Sequence, residues 1–431
     1  MQKGPIWDNS LLPRFPELAG DAECDVLVIG GGLCGLLCAH YLTMAGMNVL
    51  LMEADRVASA TTVRSTAVVS VGQDVLYRDI ANRMGTDTAR QVIGARMGAL
   101  KEYLSLTREL GARCSVTDFS LFSTDGEKRL EREYDALCRM GIDCRFSPHL
   151  PSGLPSTSAL TFPGQMLLDP ADFTSRLARG LTIRENARAV RLTSYGAMTD
   201  KYRITADKVI IATHFPFPRL KGLFALKLYQ QRSYVLALDG APLVGACEDI
   251  TEGGVYMRMY GTKLLLGGGD HRTGTKGGGF APVLEYRSKN FAGSRIDTAW
   301  ATQDTVSLDG LPYIGRLTGT NSKFYVAAGF GGNGFMGSMM SALILRDTIT
   351  GRPSPYAKVF SPQRSMLTLQ LAKNIAHTIG TYFIPTARRC PHLGCALVWN
   401  PDERSWDCPC HGSRFDQNGN LINGPSQRDL S

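Results

Sequence analysis

The sequence offers nothing that reads as an export signal. Met1 to Gly20 carries three prolines and no apolar core segment, so a cytoplasmic protein is the expectation. It also lacks a basic run. The 47 Lys+Arg and 39 Asp+Glu give a net charge of +8 spread along the chain, which implies no nucleic-acid partner. One stretch alone is long and uncharged: Val26 to Met52 has no Asp, Glu, Lys or Arg over 27 residues. Glycines at 30, 31, 32, 35 and 46 break it into two strand-like runs around a helix-like one, so no membrane span is expected. The 11 cysteines are odd in number, and without an export signal that argues against a secreted disulfide framework. Cys24, Cys34, Cys38, Cys114, Cys138, Cys144 and Cys247 are scattered and read as small buried apolar residues.

What is present fits a globular chain. A 44 % hydrophobic and 20 % charged composition excludes disorder, a collagen-like fibre and a small disulfide scaffold. At roughly 150 residues per domain, 431 residues predict two to three domains. The 46 glycines imply tight turns and close backbone approaches.

Cys24 to Gly30 (CDVLVIG) is an apolar, β-branched run that predicts a buried parallel strand. Gly30 to Gly35 then fits G-x-G-x-x-G, Leu36 to Ala45 reads as a helix, and Asn48 to Met52 reads as a second strand ending in Glu53. The chemistry needs these residue types. Gly30 permits the tight turn, Gly32 lets backbone approach a pyrophosphate, and Gly35 lets helix and strand pack closely. The helix N-terminus offers unpaired N–H groups to phosphate. Glu53 can accept hydrogen bonds from ribose hydroxyls and disfavours a 2′-phosphate. The unit therefore predicts dinucleotide binding.

Three later segments follow in order: Ser59 to Ser70, rich in hydroxyls and small residues; Val209 to Thr213, a strand ending in Ala-Thr; and Tyr325 to Phe335, a strand followed by a Gly-rich turn. With Asp309 to Gly315 (DGLPYIG), this order resembles the flavin-dependent amine and amino-acid oxidoreductases of the D-amino-acid-oxidase superfamily over about residues 24 to 355. The resemblance implies FAD contacts at Gly30, Gly32, Leu33, Cys34, Gly35, Glu53, Ala54, Thr61, Thr62, Ser65, Thr66, Val190, Thr213, Gly331, Gly332, Asn333, Gly334 and Phe335. A helix starting at the late turn can place its N-terminal dipole against negative charge on a reduced flavin.

The last stretch holds Cys390-Pro391-His392 and Cys408-Pro409-Cys410-His411. C-x-H, fifteen intervening residues, then C-x-x-H matches the Rieske 2Fe–2S pattern, with Cys390 and Cys408 on one iron and His392 and His411 on the other. Neutral imidazoles in place of two thiolates make such a cluster easier to reduce. The alternative is a structural zinc held by Cys390, Cys395, Cys408 and Cys410, at unusual spacings and with both histidines idle. The resemblance to high-potential Rieske proteins implies a disulfide between Cys395 and Cys410, and a covering proline loop at Gly424-Pro425. Trp399 and Trp406 are placed to pack between the ligand loops. Arg364 to Thr381 reads as helical where such domains usually have a sheet base. The remaining domain is short and is expected to lean on the flavoprotein part.

The expected fold is thus a Rossmann-like α/β FAD-binding domain with an antiparallel β substrate domain, plus a small β-rich Rieske-type domain. The expected boundaries are an oxidoreductase region over 1–360, a linker helix over 361–381 and a Rieske domain over 382–431. FAD-binding segments fall at about 24–80, 165–215 and 300–355, and substrate or cap segments at about 81–164 and 216–299. Thr86 to Leu110 and Glu127 to Met140 read as surface helices, and Lys227 to Asp239 and Gly254 to Gly267 as strands over the flavin. Candidate substrate residues are Arg232, suited to a carboxylate, His271, suited to acid–base or orienting work, and Gln303 and Asp304, placed to line a pocket. The expected partners are an amine or amino-acid-like small molecule and an unknown one-electron acceptor or donor. A Rieske oxygenase needs an iron held by two His and a carboxylate, yet His40, His149, His214, His271 and His377 form no close pair. A redox sensor or electron carrier, and a plain flavin oxidase with a structural metal tail, remain alternatives.

Overall fold

Apolar on both faces from Val26 onward, Ala22–Ile29 buries its second half fully, and it becomes the middle of a sheet. The computed structural model describes residues 4–126, 128–217, 223–317, 323–365, 369–384 and 388–430. Ala22–Ile29 pairs in parallel with Val49–Met52 on one side and Arg203–Ile211 on the other. Phe324–Ala328 continues the parallel order beyond Arg203–Ile211, and Tyr313–Arg316 closes that edge antiparallel. Leu33–Met44 is the crossover helix. It is apolar nearly all round because the sheet covers one side and helix Gly334–Ile349 the other.

A second sheet of nine strands is mostly antiparallel. Its longest pairings are made by Leu228–Asp239, held between the edge strand Arg295–Ser307 and Lys263–Arg272. Tyr256–Tyr260 and Ala246–Asp249 extend it. The stretch from Gly254 to Gly267 is therefore two strands around a turn at Gly261. Thr86–Leu110 and Lys128–Arg139 are helices over the far end.

The C-terminal lobe is a four-stranded antiparallel meander, Val398–Asn400, Ser405–Asp407, Arg414–Asp416 and Leu421–Asn423. The helix before it spans Leu369–Tyr382; residues 366–368 of the expected linker helix lie outside the described residues. Asn374 Nδ2 donates to the Leu226 carbonyl at 2.8 Å, pinning that helix to the larger body. The lobe's own core is Cys390, Cys395, Leu397, Cys408, Cys410 and Phe415. Burying one Leu and one Phe contributes about 1.5–3 kcal/mol each, against roughly 1–2 kcal/mol of backbone entropy per ordered residue. Such a lobe depends on its cross-links and its docking. Among the described residues no helix is long and apolar enough to cross a membrane.

Candidate active site and cluster-binding loops

The first glycine turn is built by exclusion. Gly30 sits at φ +109°, where an added Cβ would stand 2.5 Å from the Ala212 carbonyl oxygen. A Cβ on Gly35 would collide with the Gly30 carbonyl. Gly32 brings no capping side chain to helix Leu33–Met44, and Gly32, Leu33 and Cys34 line the cleft. Thr62 Oγ1 accepts from the Leu33 N–H at 3.0 Å, and Glu53 accepts from the N–H groups of Gly31 (2.6 Å) and Asp55 (2.9 Å). Burial pushes the Glu53 carboxyl up, and those N–H groups oppose it. Gly30→Ala is expected to strain this turn by roughly 1–3 kcal/mol and weaken FAD retention about ten- to a hundredfold. The ratio of flavin to protein absorbance after gel filtration reads it; an unchanged ratio would contradict this geometry.

The second turn faces the first. Gly331 and Gly332 have φ of +56° and +78°, and helix Gly334–Ile349 starts after Asn333 with no side-chain cap. Gln73 holds the turn, donating to the Gly331 carbonyl at 2.8 Å and accepting from Asn333 Nδ2 at 3.3 Å. Buried Arg96 donates to Gln73 in turn. Neither Gln73 nor Arg96 belongs to a sequence pattern.

Both turns open on one cavity of about 540 Å³. Gly30, Gly32, Leu33, Cys34, Glu53, Ala54, Thr61, Thr62, Ser65, Thr66, Thr213 and Gly331 to Phe335 all line it. Gly35 lies behind the wall, as a packing glycine should. Val190 is exposed and off the wall; Ala187 and Ala189 line the cavity instead, because the Ala187 N–H joins the Glu53 carbonyl and turns that segment inward. Gln303 and Asp304 line the cavity from the second sheet, together with Gln230, Gln231, Ser233, Glu248, Tyr256 and Asp270. Arg232 does not reach the cavity. Its guanidinium is buried in a bidentate pair with Glu403 of the C-terminal lobe. His271 stacks on Tyr234 at 5.7 Å and also lies off the wall.

The two C-terminal ligand loops repeat one local design. In the first, the Gly394 N–H returns to the Cys390 carbonyl at 2.8 Å; in the second, the Gly412 N–H returns to the Cys408 carbonyl at 2.9 Å. Both glycines are left-handed, with φ of +82° and +77°. A Cys395–Cys410 disulfide ties the loops together. Cys390 and Cys408 stay free and buried, and a hydrogen bond from Cys408 pulls the Cys390 thiol down toward thiolate. The His392 and His411 rings stand 5.0 Å apart and nearly perpendicular. His411 Nε2 meets the Ala225 carbonyl at 3.0 Å, while its Nδ1 is buried without a hydrogen-bond partner. Burial holds that imidazole down to about 3, in the neutral form a metal takes. Two buried thiols and an orphaned imidazole nitrogen fit an iron–sulfur cluster. The disulfide removes Cys395 and Cys410 from the four-cysteine zinc alternative. Trp399 and Trp406 pack at 5.1 Å on the meander.

Residues 25–348 match the FAD dependent oxidoreductase (DAO) family, and residues 375–431 match the Rieske 2Fe–2S domain. The chain belongs to the FAD dependent oxidoreductase family. Its cofactors are FAD and a Rieske 2Fe–2S cluster. The oxidoreductase is 29 % identical to the Rieske 2Fe-2S iron-sulfur protein YhfW of Bacillus subtilis, over 98 % of this chain and 96 % of that one. It is 44 % identical over 55 residues to the cytochrome b6-f complex iron-sulfur subunit of Cyanothece sp., covering 13 % of this chain and 30 % of that protein. Glycine oxidase from Geobacillus kaustophilus shares its fold, with a TM-score of 0.65 at 17 % identity over 80 % of this chain and all (100 %) of that one. L-proline dehydrogenase from P. horikoshii does so at 0.64 and 19 %, covering 81 % and 98 %.

In this oxidoreductase the segment around Gly424-Pro425 forms part of the cavity wall. Ile422 to Gln427 line it beside the sheet residues. Gln230 Nε2 donates to the carbonyls of His411 (2.7 Å) and Gly424 (3.3 Å). Gln303 Nε2 donates to the Gly412 carbonyl at 2.9 Å and to Gln230 Oε1. Arg272 donates to the carbonyls of Pro409 (2.9 Å) and Cys410 (3.2 Å). Phe215, another lining residue, meets the His411 ring edge-on at 5.9 Å. Gly274 and Gly412 have no room for a side chain, against Pro409 and Gln230 respectively.

Proposed function

We propose that the protein oxidises an amine or amino-acid-like small molecule at the flavin and passes the electrons, one at a time, through the cluster to a separate one-electron acceptor. The observation that carries this reading is the Gln230–Gln303 pair. These two amides belong to the cavity wall and hold the backbone of the cluster loop at His411, Gly412 and Gly424. Bound flavin accepts a hydride, and a bound 2Fe–2S cluster accepts single electrons.

The protein's own residues do the positioning. Gln230, Gln303 and Arg272 fix the ligand loop against the sheet, so the separation between the two redox sites does not depend on a tether. Phe215, Phe217 and Pro425 cover the seam and keep water from it. His214 lines the same seam at φ +64°, and burial holds its imidazole down to about 4. It is neutral at pH 7 and adds no charge between the sites. Asp304 and Gln303 orient the substrate from the sheet side. A cytoplasmic setting belongs to the same proposal.

Anaerobic mixing of holoenzyme with amines and amino acids tests it. Flavin bleaching is expected first, followed by the EPR signal of a reduced Rieske cluster. Bleaching with no cluster signal would sink electron transfer and leave a plain flavin oxidase.

A further inference from the structure

Away from the glycine turns, the cavity is acidic. Glu248, Asp270 and Asp304 line it from three different strands, Ala246–Asp249, Lys263–Arg272 and Arg295–Ser307. Tyr256 stands among them. It pairs across the sheet with Glu248, its hydroxyl is 2.8 Å from Ser233 Oγ, and burial with all three carboxylates pushes its phenol far up. Burial raises each acid, Asp304 to about 6 and Glu248 to about 7, and Asp270 adds to both.

Among the described residues, no lysine or arginine lines this side of the cavity, and His271, which acts on Asp270, lies off the wall. Among the described residues, the arginines that line the cavity are Arg56 and Arg188, at the Glu53 end with the nucleotide turn. Arg232 and Arg96 act on Asp304 and Glu248 from behind the wall. Arg232 is committed to Glu403, and Arg96 to Gln73 and the Val71 carbonyl.

A second observation points to a ligand that hydrogen-bonds on this side. Thr302 and Thr305 line the same cavity at 5 % and 2 % exposure, and neither Oγ1 has a hydrogen-bond partner. Thr302 pairs with Ser233, which places it beside Tyr256 and the acids. Buried hydroxyls are rarely left so. An ammonium group is donor-only and carries the charge that three carboxylates want.

We propose that the substrate carries a second cationic amine, a diamine or polyamine with no carboxylate near its reacting carbon. This rests on the amine-oxidising reading above and narrows it. An α-amino acid would bring its carboxylate to a carboxylate-lined wall with no free guanidinium to receive it. In the diamine, one ammonium sits among Glu248, Asp270 and Asp304. The other amine, deprotonated, loses a hydride with its electron pair from the adjacent carbon to the flavin. The product iminium is hydrolysed by water to an aldehyde and ammonium.

The test uses anaerobic holoenzyme and chain-matched probes: putrescine, n-butylamine and γ-aminobutyrate, with glycine as the α-amino acid. Putrescine is expected to bleach the flavin at concentrations about tenfold or more below n-butylamine, with γ-aminobutyrate and glycine inert. Glu248→Gln and Asp270→Asn should each raise the half-bleaching concentration of putrescine about ten- to a hundredfold relative to that of n-butylamine. Each variant removes one of several acids that raise one another, so flavin content and thermal midpoint should hold. If one nonetheless loses flavin, the comparison of putrescine with γ-aminobutyrate in the unaltered protein still decides. Glycine or γ-aminobutyrate bleaching as readily as putrescine overturns the diamine inference and leaves amine oxidation standing. Bleaching by none of the probes, in protein whose flavin dithionite does reduce, overturns both.

Discussion

Cys408→Ser is expected to abolish the iron–sulfur cluster and leave the flavin in place. Cys408 is fully buried in the second ligand loop, and a serine hydroxyl stays protonated where a thiolate is required. The disulfide joining the two loops survives the change, because Cys395 and Cys410 are untouched. The FAD turns sit on a different sheet with its own core, so they have no reason to fail with the lobe. Two readouts should therefore separate. The rhombic EPR signal of the reduced cluster disappears, while substrate still bleaches the flavin anaerobically. Transfer to a one-electron acceptor is expected to fall about a hundredfold or more, at or beyond the loss seen when even an outer-shell partner of a metal ligand is removed. A variant that reduces such an acceptor at the original rate would mean that electrons leave the flavin directly. The cluster would then be structural or regulatory.

The two cofactor sites differ in how they could be read, and the reason is sequence distance. The glycine turn is a local object. Strand, turn, helix and second strand follow within about thirty residues, so residue type and spacing carry the geometry. The cluster loops are local in the same sense: each is a short Cys-to-Gly turn closed by its own hydrogen bond. Arg232 is the opposite case. A buried arginine in a strand over the flavin reads as a carboxylate receptor, but its partner Glu403 lies 171 positions away on another lobe. No local pattern announces that pairing. Glu248 and Asp270 were hidden for a related reason, since they and the expected Asp304 sit on three strands and share a face only through sheet register. Gln230 and Gln231 did leave a trace, as polar residues in the otherwise largely apolar strand Leu228–Asp239. Val190 shows how fine the limit is, because its near neighbours Ala187 and Ala189 line the cavity while its own N–H is bonded to the Met198 carbonyl and its side chain is exposed.

Glu403→Ala is expected to be the most damaging change far from either cofactor. The Glu403 side chain is 6 % exposed and accepts from Arg232 Nε at 2.8 Å, Arg414 Nη2 at 2.8 Å and the Tyr234 hydroxyl at 3.2 Å. Arg414 keeps a second partner in Asp407 at 3.0 Å. Among the described residues Arg232 makes no other ion pair, and burial already works against its charge. Removing the carboxylate strands a buried guanidinium between sheet and lobe, a loss of about 3–5 kcal/mol. An exposed pair such as Arg145 with Asp118 should contribute no more than about 1 kcal/mol. Denaturant titration followed at the cluster and the flavin separately should show the cluster signal lost first, since the lobe leans on this contact and has little core of its own. The double variant Arg232→Met with Glu403→Leu removes both charges together and should recover most of the loss, because apolar residues of similar volume often replace a buried ion pair at little cost. Its amine kinetics discriminate further. A substrate carboxylate receptor at Arg232 would raise KM in that double variant, whereas an interdomain strut leaves KM near its original value and alters stability alone. A Glu403→Ala protein as stable as an Arg145→Ala protein would mean that the lobe is held elsewhere, by Gln230, Gln303 and Arg272 on the cluster loop.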